Sequence, residues 1–190
     1  MEVTQAILDN IEEKEKPLVI AISGFGGSGK SGYARLLAEK LSAPIVGLDS
    51  FIKDKNLSGY SMWEIMDYKR LEREVLWPFL NTDGVFSYDY FDYNKNIVDK
   101  IVSISTHKIL IVEGVGLFRP ELLHYFGYKI WIDCPIELAN ERGKKRDREE
   151  YNNPQDELWD GVWKKNDMEC FEAFKPKEIA DLVVDNYPTK

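Results

Sequence analysis

The stretch that decides the fold is PLVIAISGFGGSGKSGYARLLAEKL, Pro17 to Leu41. Its first part, Leu18 to Ser23, is a continuous apolar run, the pattern of a strand buried on both faces. Its last part repeats Ala34, Leu37 and Leu41 at helical spacing. Between them lies GFGGSGKS, which fits G-x-x-x-x-G-K-[ST] through Gly24, Gly29, Lys30 and Ser31. Glycines let the backbone curl so that successive N–H groups, here of Gly26, Gly27, Ser28 and Gly29, face one anion. The helix that follows adds its positive N-terminal end. Lys30 is placed to reach the outer phosphates of a nucleotide, and the Ser31 hydroxyl to ligate Mg²⁺. A glycine-rich turn without function is the plainer alternative, but the strand before and the helix after fit a phosphate cradle. The motif does not say whether phosphate is hydrolysed, transferred or only held.

Outward from the cradle, strands and helices alternate. PIVGLD (Pro44 to Asp49), KILIVEGVG (Lys108 to Gly116), YKIWIDC (Tyr128 to Cys134) and ADLVVDN (Ala180 to Asn186) read as strands. VFSYDYFDY (Val85 to Tyr93) reads as an edge strand or a hairpin arm. Helices are expected through about Glu15, around Leu71, Val75 and Phe79, from Pro120 through PELLHYF, from about Ile136 to Glu150, and from about Leu158 to Phe174. Asn166 to Phe174 packs either on the core or on a second subunit, so a homo-oligomer stays open. The expectation is an α/β fold of P-loop NTPase type in three layers, a mostly parallel sheet with helices on both faces. Ligands in such folds bind beyond the carboxyl ends of the strands.

The 190 residues suit one domain. The formal net charge of −8 argues against a nucleic-acid surface, which needs clustered Lys and Arg. Cys134 and Cys170 form no C-x-x-C pair, and only His107 and His124 could join them on a metal, so no zinc site is expected and both read as reduced thiols. The start, MEVTQAILDNIEEKEK, is amphipathic and acidic rather than a leader, and no apolar run reaches membrane-spanning length. No membrane partner is expected, and the location is read as cytoplasmic.

Several side chains fall at the informative edge. Asp49, at the end of PIVGLD, suits a base for a substrate hydroxyl or a Mg²⁺ ligand through water; capping the next segment is its structural alternative. Glu113, after four apolar residues, stands where a second Mg²⁺ ligand belongs. ERGKKRDRE gathers Arg142, Lys144, Lys145, Arg146 and Arg148 in an acidic chain. Such a run is either a solvated helix face or a basic lid, around residues 140–155, over a transferring phosphoryl group. Tyr88, Tyr90 and Tyr93 alternate with Asp89 and Asp92, either framing a polar ring or burying one aromatic face.

Together GFGGSGKS, LDSF, MDYKRLEREVLWPFL, YDY, IVEGVGLFRPEL, IDCP, R…KKRD and ADLVVDN make the chain resemble the uridine kinase and phosphoribulokinase branch of P-loop kinases. The pieces stand in the family's order and cover nearly the whole chain. The resemblance implies Mg²⁺ with ATP or GTP on Gly24 to Ser31, Asp49 as base toward an acceptor hydroxyl, and Glu113 near the metal. It implies Arg142 and Arg146 as lid groups on phosphate or acceptor, and Asp67, Tyr88 and Asp89 around the acceptor. Where uridine kinases often carry a histidine and an arginine after the YD pair, this chain reads YDYFDYNKN, and Ile52 follows Phe51 where tyrosine is common. Both departures touch acceptor recognition and not phosphate chemistry. The leading expectation is therefore a small-molecule kinase acting on a nucleoside or similar metabolite, with pantothenate or nicotinamide riboside as further acceptors. A nucleotide-binding regulatory protein and a hydrolytic NTPase are the competing classes.

Overall fold

An unbroken apolar strand is stable only where both faces of its sheet are covered, and β1 (Leu18–Gly24) is buried along its whole length. The computed structural model describes residues 17–53, 58–82, 86–92, 97–104 and 108–187; the helix expected through about Glu15 lies outside them. β1 is the middle strand of a five-stranded parallel sheet. The order is β2 (Ile45–Gly47), β5 (Ile109–Gly114), β1, β6 (Tyr128–Asp133), β7 (Leu182–Asp185), with β3 (Phe86–Asp92) and β4 (Ile97–Ile104) forming a separate antiparallel pair.

Side chains alternate along a strand, so β1 feeds two cores. Leu18, Ile20 and Ile22 pack with Ile111, Ile130 and Ile132 beneath α1 (Lys30–Leu41), through its Ala34 and Leu37. Val19 and Ala21 face the other way, with Leu110, Val112 and Trp131. That face is covered by α2 (Tyr68–Leu71), a π turn (Glu72–Leu76), α3 (Trp77–Asn81) and the carboxyl-terminal helices. Each of these aliphatic side chains contributes ~1.5–3 kcal/mol relative to exposure. Helices on both faces of a parallel sheet are the fold expected from the sequence.

Several elements differ from their sequence readings. The strand read as running to Asp49 stops at Gly47, and Leu48–Phe51 turns as a 3₁₀ segment. Leu48 is fully buried there, and Gly114 makes room for it, since a Cβ at Gly114 would collide with Leu48. The helix expected from Pro120 is a turn followed by a short 3₁₀ segment, Leu123–Tyr125. Its bonds run three residues back, from Leu122 N–H to Arg119 O and from Tyr125 N–H to Leu122 O; Leu122 and Phe126 are buried in the core, with Leu123 and Tyr125 packed against it. Within VFSYDYFDY, Phe86–Asp92 is a strand paired antiparallel with β4, which the sequence reading did not include; Val85 and Tyr93 lie outside the described residues. The last long helix starts earlier than read. α5 (Asp156–Leu158) runs through a π turn (Trp159–Trp163), kinked at Gly161, into α6 (Lys164–Phe174), and α7 (Pro176–Ile179) follows; α4 (Ile136–Glu149) precedes them.

α6 settles its partner: Asn166, Asp167 and Cys170 are buried, and Phe171 and Phe174 pack on the same core. Cys134 and Cys170 are free and buried, and burial pushes the Cys170 thiol up to about 12, so it stays protonated. Among the described residues, no helix is long and apolar enough to cross a membrane.

Candidate active site

The glycine loop joins β1 to α1 at the carboxyl edge of the sheet. Gly27 and Gly29 hold φ of 77° and 96°, a left-handed backbone that side chains rarely adopt. Space alone would also demand glycine at Gly27, where a Cβ would run into the Ala139 carbonyl of α4. The Ser28 N–H donates to Phe25 O at 3.0 Å, and the Lys30 ammonium donates to the same carbonyl at 3.3 Å. Lys30 is only 9% exposed, so its charge is held under the loop and not free in water.

Beside the loop, the Ser31 hydroxyl donates to a Glu113 carboxylate oxygen at 3.1 Å, joining the start of α1 to the end of β5. Burial is the main influence on Glu113 and raises its pKa. Lys30 opposes the rise, the nearby Asp49 carboxylate adds to it, and the Ser31 hydroxyl eases it. Asp49 itself is exposed on its 3₁₀ turn. Lys30, Ser31, Asp49 and Glu113, named from four separate stretches, are thus brought to one place. A carboxyl pushed toward protonation beside a hydroxyl suits a divalent ion, which supplies the charge that burial withholds. Among the described residues, no group of three or more His, Cys, Asp or Glu could hold a metal alone. Mg²⁺ here would need oxygens from a second source, as it commonly takes them from phosphates.

The expected acceptor residues are held rather than free. Asp67 accepts the Arg70 N–H at 3.0 Å and caps α2. The Tyr88 ring is 5% exposed and stacks on Phe51 with centroids 5.2 Å apart, so it serves the core and does not offer an open wall. Asp89 is exposed, and its carbonyl accepts from Arg70. Arg70 also donates to Ser50 O at 3.0 Å, pairs with Glu74 at 3.0 Å and lies 4.6 Å over the Phe51 ring. Arg70 therefore fastens the Asp49 turn, Asp67 and Asp89 together, a role the sequence reading missed.

The basic run is paired throughout. Arg142 donates to Asn186 O at 2.7 Å, and Arg146 pairs with Asp147 at 2.8 Å with its guanidinium 5.0 Å from the Tyr151 ring. Lys144 pairs with Asp160 at 2.6 Å, Lys145 with Glu149 at 3.8 Å, and Arg148 with Asp156. In this arrangement Arg146 is ion-paired, whereas the Arg142 contacts are a backbone carbonyl and the Cys134 sulfur. Trp159 packs between α4 and the cradle, where a Cβ on Gly26 or on Gly143 would meet its ring, and its indole donates to Asp147 at 2.7 Å. Gly143 is inside a helix, where alanine is normally favoured by roughly 0.5–1 kcal/mol. Here Gly143→Ala is expected to destabilise by about 1–3 kcal/mol through overpacking against Trp159. Thermal or urea unfolding reads the sign; a stabilised variant would remove this packing from the account.

Two further residues touch the cradle unannounced. Asp167 accepts the Gly26 N–H at 2.7 Å and the Trp63 indole N–H at 2.8 Å, and Asn186 donates to Ser28 O at 2.7 Å. A signal for Asp167 did exist: it lies with Asn166 among Cys170, Phe171 and Phe174 on the inward stripe of α6. Asn186 directly follows β7, at the carboxyl edge where ligands gather.

No family model matches the chain. It is 22% identical to a uridine kinase of Oceanobacillus iheyensis over 185 residues, covering 90% of this chain and 87% of that one. It is 27% identical to a shikimate kinase of a Sulfurihydrogenibium species over 131 residues, covering 66% of each. A kinase assigned to a fructose transport system in Silicibacter superposes with a TM-score of 0.78 at 21% identity, covering 98% of both chains. The structural likeness is one of fold. The resemblance to uridine kinases drawn from the motifs is present in the relatives themselves.

Proposed function

We propose that the protein is a Mg²⁺-dependent small-molecule kinase that moves the γ-phosphoryl group of ATP or GTP to a hydroxyl of a nucleoside or similar metabolite. One observation carries it: Lys30, Ser31, Asp49 and Glu113 converge at the carboxyl edge of the sheet around a left-handed glycine loop. In this reading the amides of Gly27 to Ser31 and the Lys30 ammonium hold the phosphates. Ser31 and Glu113 would hold Mg²⁺, which would neutralise phosphate charge. Asp49 takes the proton of the acceptor hydroxyl as its oxygen bonds to the γ-phosphorus; the bond to the bridging oxygen breaks and the diphosphate leaves with the electron pair. Asp67 and Asp89 would stand near the acceptor, and Arg142 and Arg146 would exchange their present partners for phosphate oxygens.

The nucleoside class rests on the uridine kinase relatives. Pantothenate and nicotinamide riboside are the runner-up acceptors. A cytoplasmic protein of one domain over residues 1–190, with a nucleotide and a small hydroxyl-bearing acceptor as its ligands and a homo-oligomer left open, completes the reading. The engaged arginines and the buried Tyr88 favour a second one, a nucleotide-binding regulatory protein with little transfer. Transfer from Mg·ATP to a panel of nucleosides, ribosides and pantothenate, followed by product mass, separates them. Phosphorylated product supports the kinase; tight nucleotide binding without ATP loss supports the regulator.

A further inference from the structure

We infer that Asp167 is a positioning residue that ties the phosphate cradle to the loop on its acceptor side, through the Gly26 N–H and the Trp63 indole. The inference rests on Gly24 to Ser31 being a nucleotide site. Asp167 is 4% exposed, and each of its oxygens takes one donor, Gly26 N–H at 2.7 Å and Trp63 Nε1–H at 2.8 Å. The neighbouring residues of α6 hold the same loop. Asn166, fully buried, accepts the Trp63 N–H at 2.6 Å and donates to Tyr60 O at 3.3 Å. Glu169 accepts the Ser61 hydroxyl at 2.6 Å and the Met62 N–H at 3.1 Å. Met62 and Trp63 both have positive φ, 49° and 56°, a conformation that costs non-glycine residues on the order of 1–3 kcal/mol each and persists only when its surroundings enforce it. The surroundings here are this row of α6 side chains.

Two consequences follow. The Gly26 N–H is committed to a carboxylate, so phosphate must be held by the amides after it. The loop carrying those amides is also braced by a group that answers to Trp63, so a change at Trp63 reaches the nucleotide without touching it. Burial pushes the Asp167 carboxyl up to about 6, against the pull of Lys30 and the two donors. The other titratable group against it is Cys170 on the same helix, which stays protonated with a pKa of about 12. Above pH 6 the carboxylate accepts on both oxygens; below it a proton occupies one of them and the brace weakens. The folded pKa is raised, so ionising Asp167 costs stability as pH rises through about 6, and what it secures there is position.

The test is calorimetric binding of Mg·ADP to the full chain, which needs no acceptor. Asp167→Asn keeps one acceptor and replaces the other with a donor facing a donor. At pH 8 it is expected to weaken Mg·ADP about tenfold, the loss of one charge-assisted bond. The ratio of wild-type to variant affinity should fall toward one below pH 6, where wild type also carries a neutral group. Titration of the ligand itself is common to both proteins and cancels in that ratio. Trp63→Phe, which keeps an aromatic side chain but removes the indole N–H, should weaken Mg·ADP about threefold in wild type and not at all in the Asp167→Asn background. Equal affinities at pH 8, a ratio independent of pH, or additive effects of the two changes would overturn the inference and leave the nucleotide site standing. No Mg·ADP binding by wild type would overturn both.

Discussion

Lys30→Ala lowers kcat/KM for phosphoryl transfer by about 10³-fold and weakens Mg·ATP binding. The magnitude is that of losing one preorganised group on developing charge, ~3–4 kcal/mol. Lys30 is worth this much because it is buried at 9% exposure under the glycine loop, where its field is poorly screened. The same cation lowers the pKa values of Glu113 and Asp167, so its removal leaves both carboxyls further toward protonation. The variant should therefore show a weaker Mg²⁺ dependence as well as a slower rate. Product followed by mass gives the rate, and calorimetry gives the affinity. Wild-type turnover in this variant would take the cradle out of the mechanism.

Asp49→Asn produces the second large loss, about 10²–10⁴-fold in kcat, with Mg·ATP affinity within about twofold of wild type. The split follows from position. Asp49 is exposed on the turn after β2 and makes its resolved electrostatic contact with Glu113, not with the glycine loop. Its replacement by an isosteric amide leaves the phosphate amides where they are and removes only the proton acceptor. Because Asp49 raises the Glu113 pKa, the variant also lets Glu113 ionise more readily, which protects metal binding. A fall in nucleotide affinity with an unchanged rate would make Asp49 a ligand-holder and not a base.

Much of the site was legible because each piece is local. Gly24 to Ser31 carries its own geometry, Glu113 stands near the end of β5 and Asp49 on the turn just after β2, where a parallel sheet presents its ligand edge. The acceptor side was less legible. The alternation of Tyr88, Asp89 and Tyr90 identifies a strand but not which face meets the core, and Tyr88 turned out to stack on Phe51. Arg70 lies in the quoted stretch MDYKRLEREVLWPFL, but nothing there shows its role, which lies in two backbone carbonyls about 20 residues away in either direction. The basic run was legible as charge, but its pairing with Asp156 and Asp160 depends on how the chain turns after α4.

The sequence alone determined the parallel α/β fold, the glycine loop and the identity of its lysine and serine, since these follow from periodicity and from short-range backbone chemistry. Tertiary structure alone decided which distant groups share that edge. It set Glu113 on Ser31 across 82 positions and Asp167 on Gly26 across 141. A hydrogen bond acts over about 3 Å, whatever the separation along the chain, so only the folded packing of α6 and β5 against the loop could select those partners.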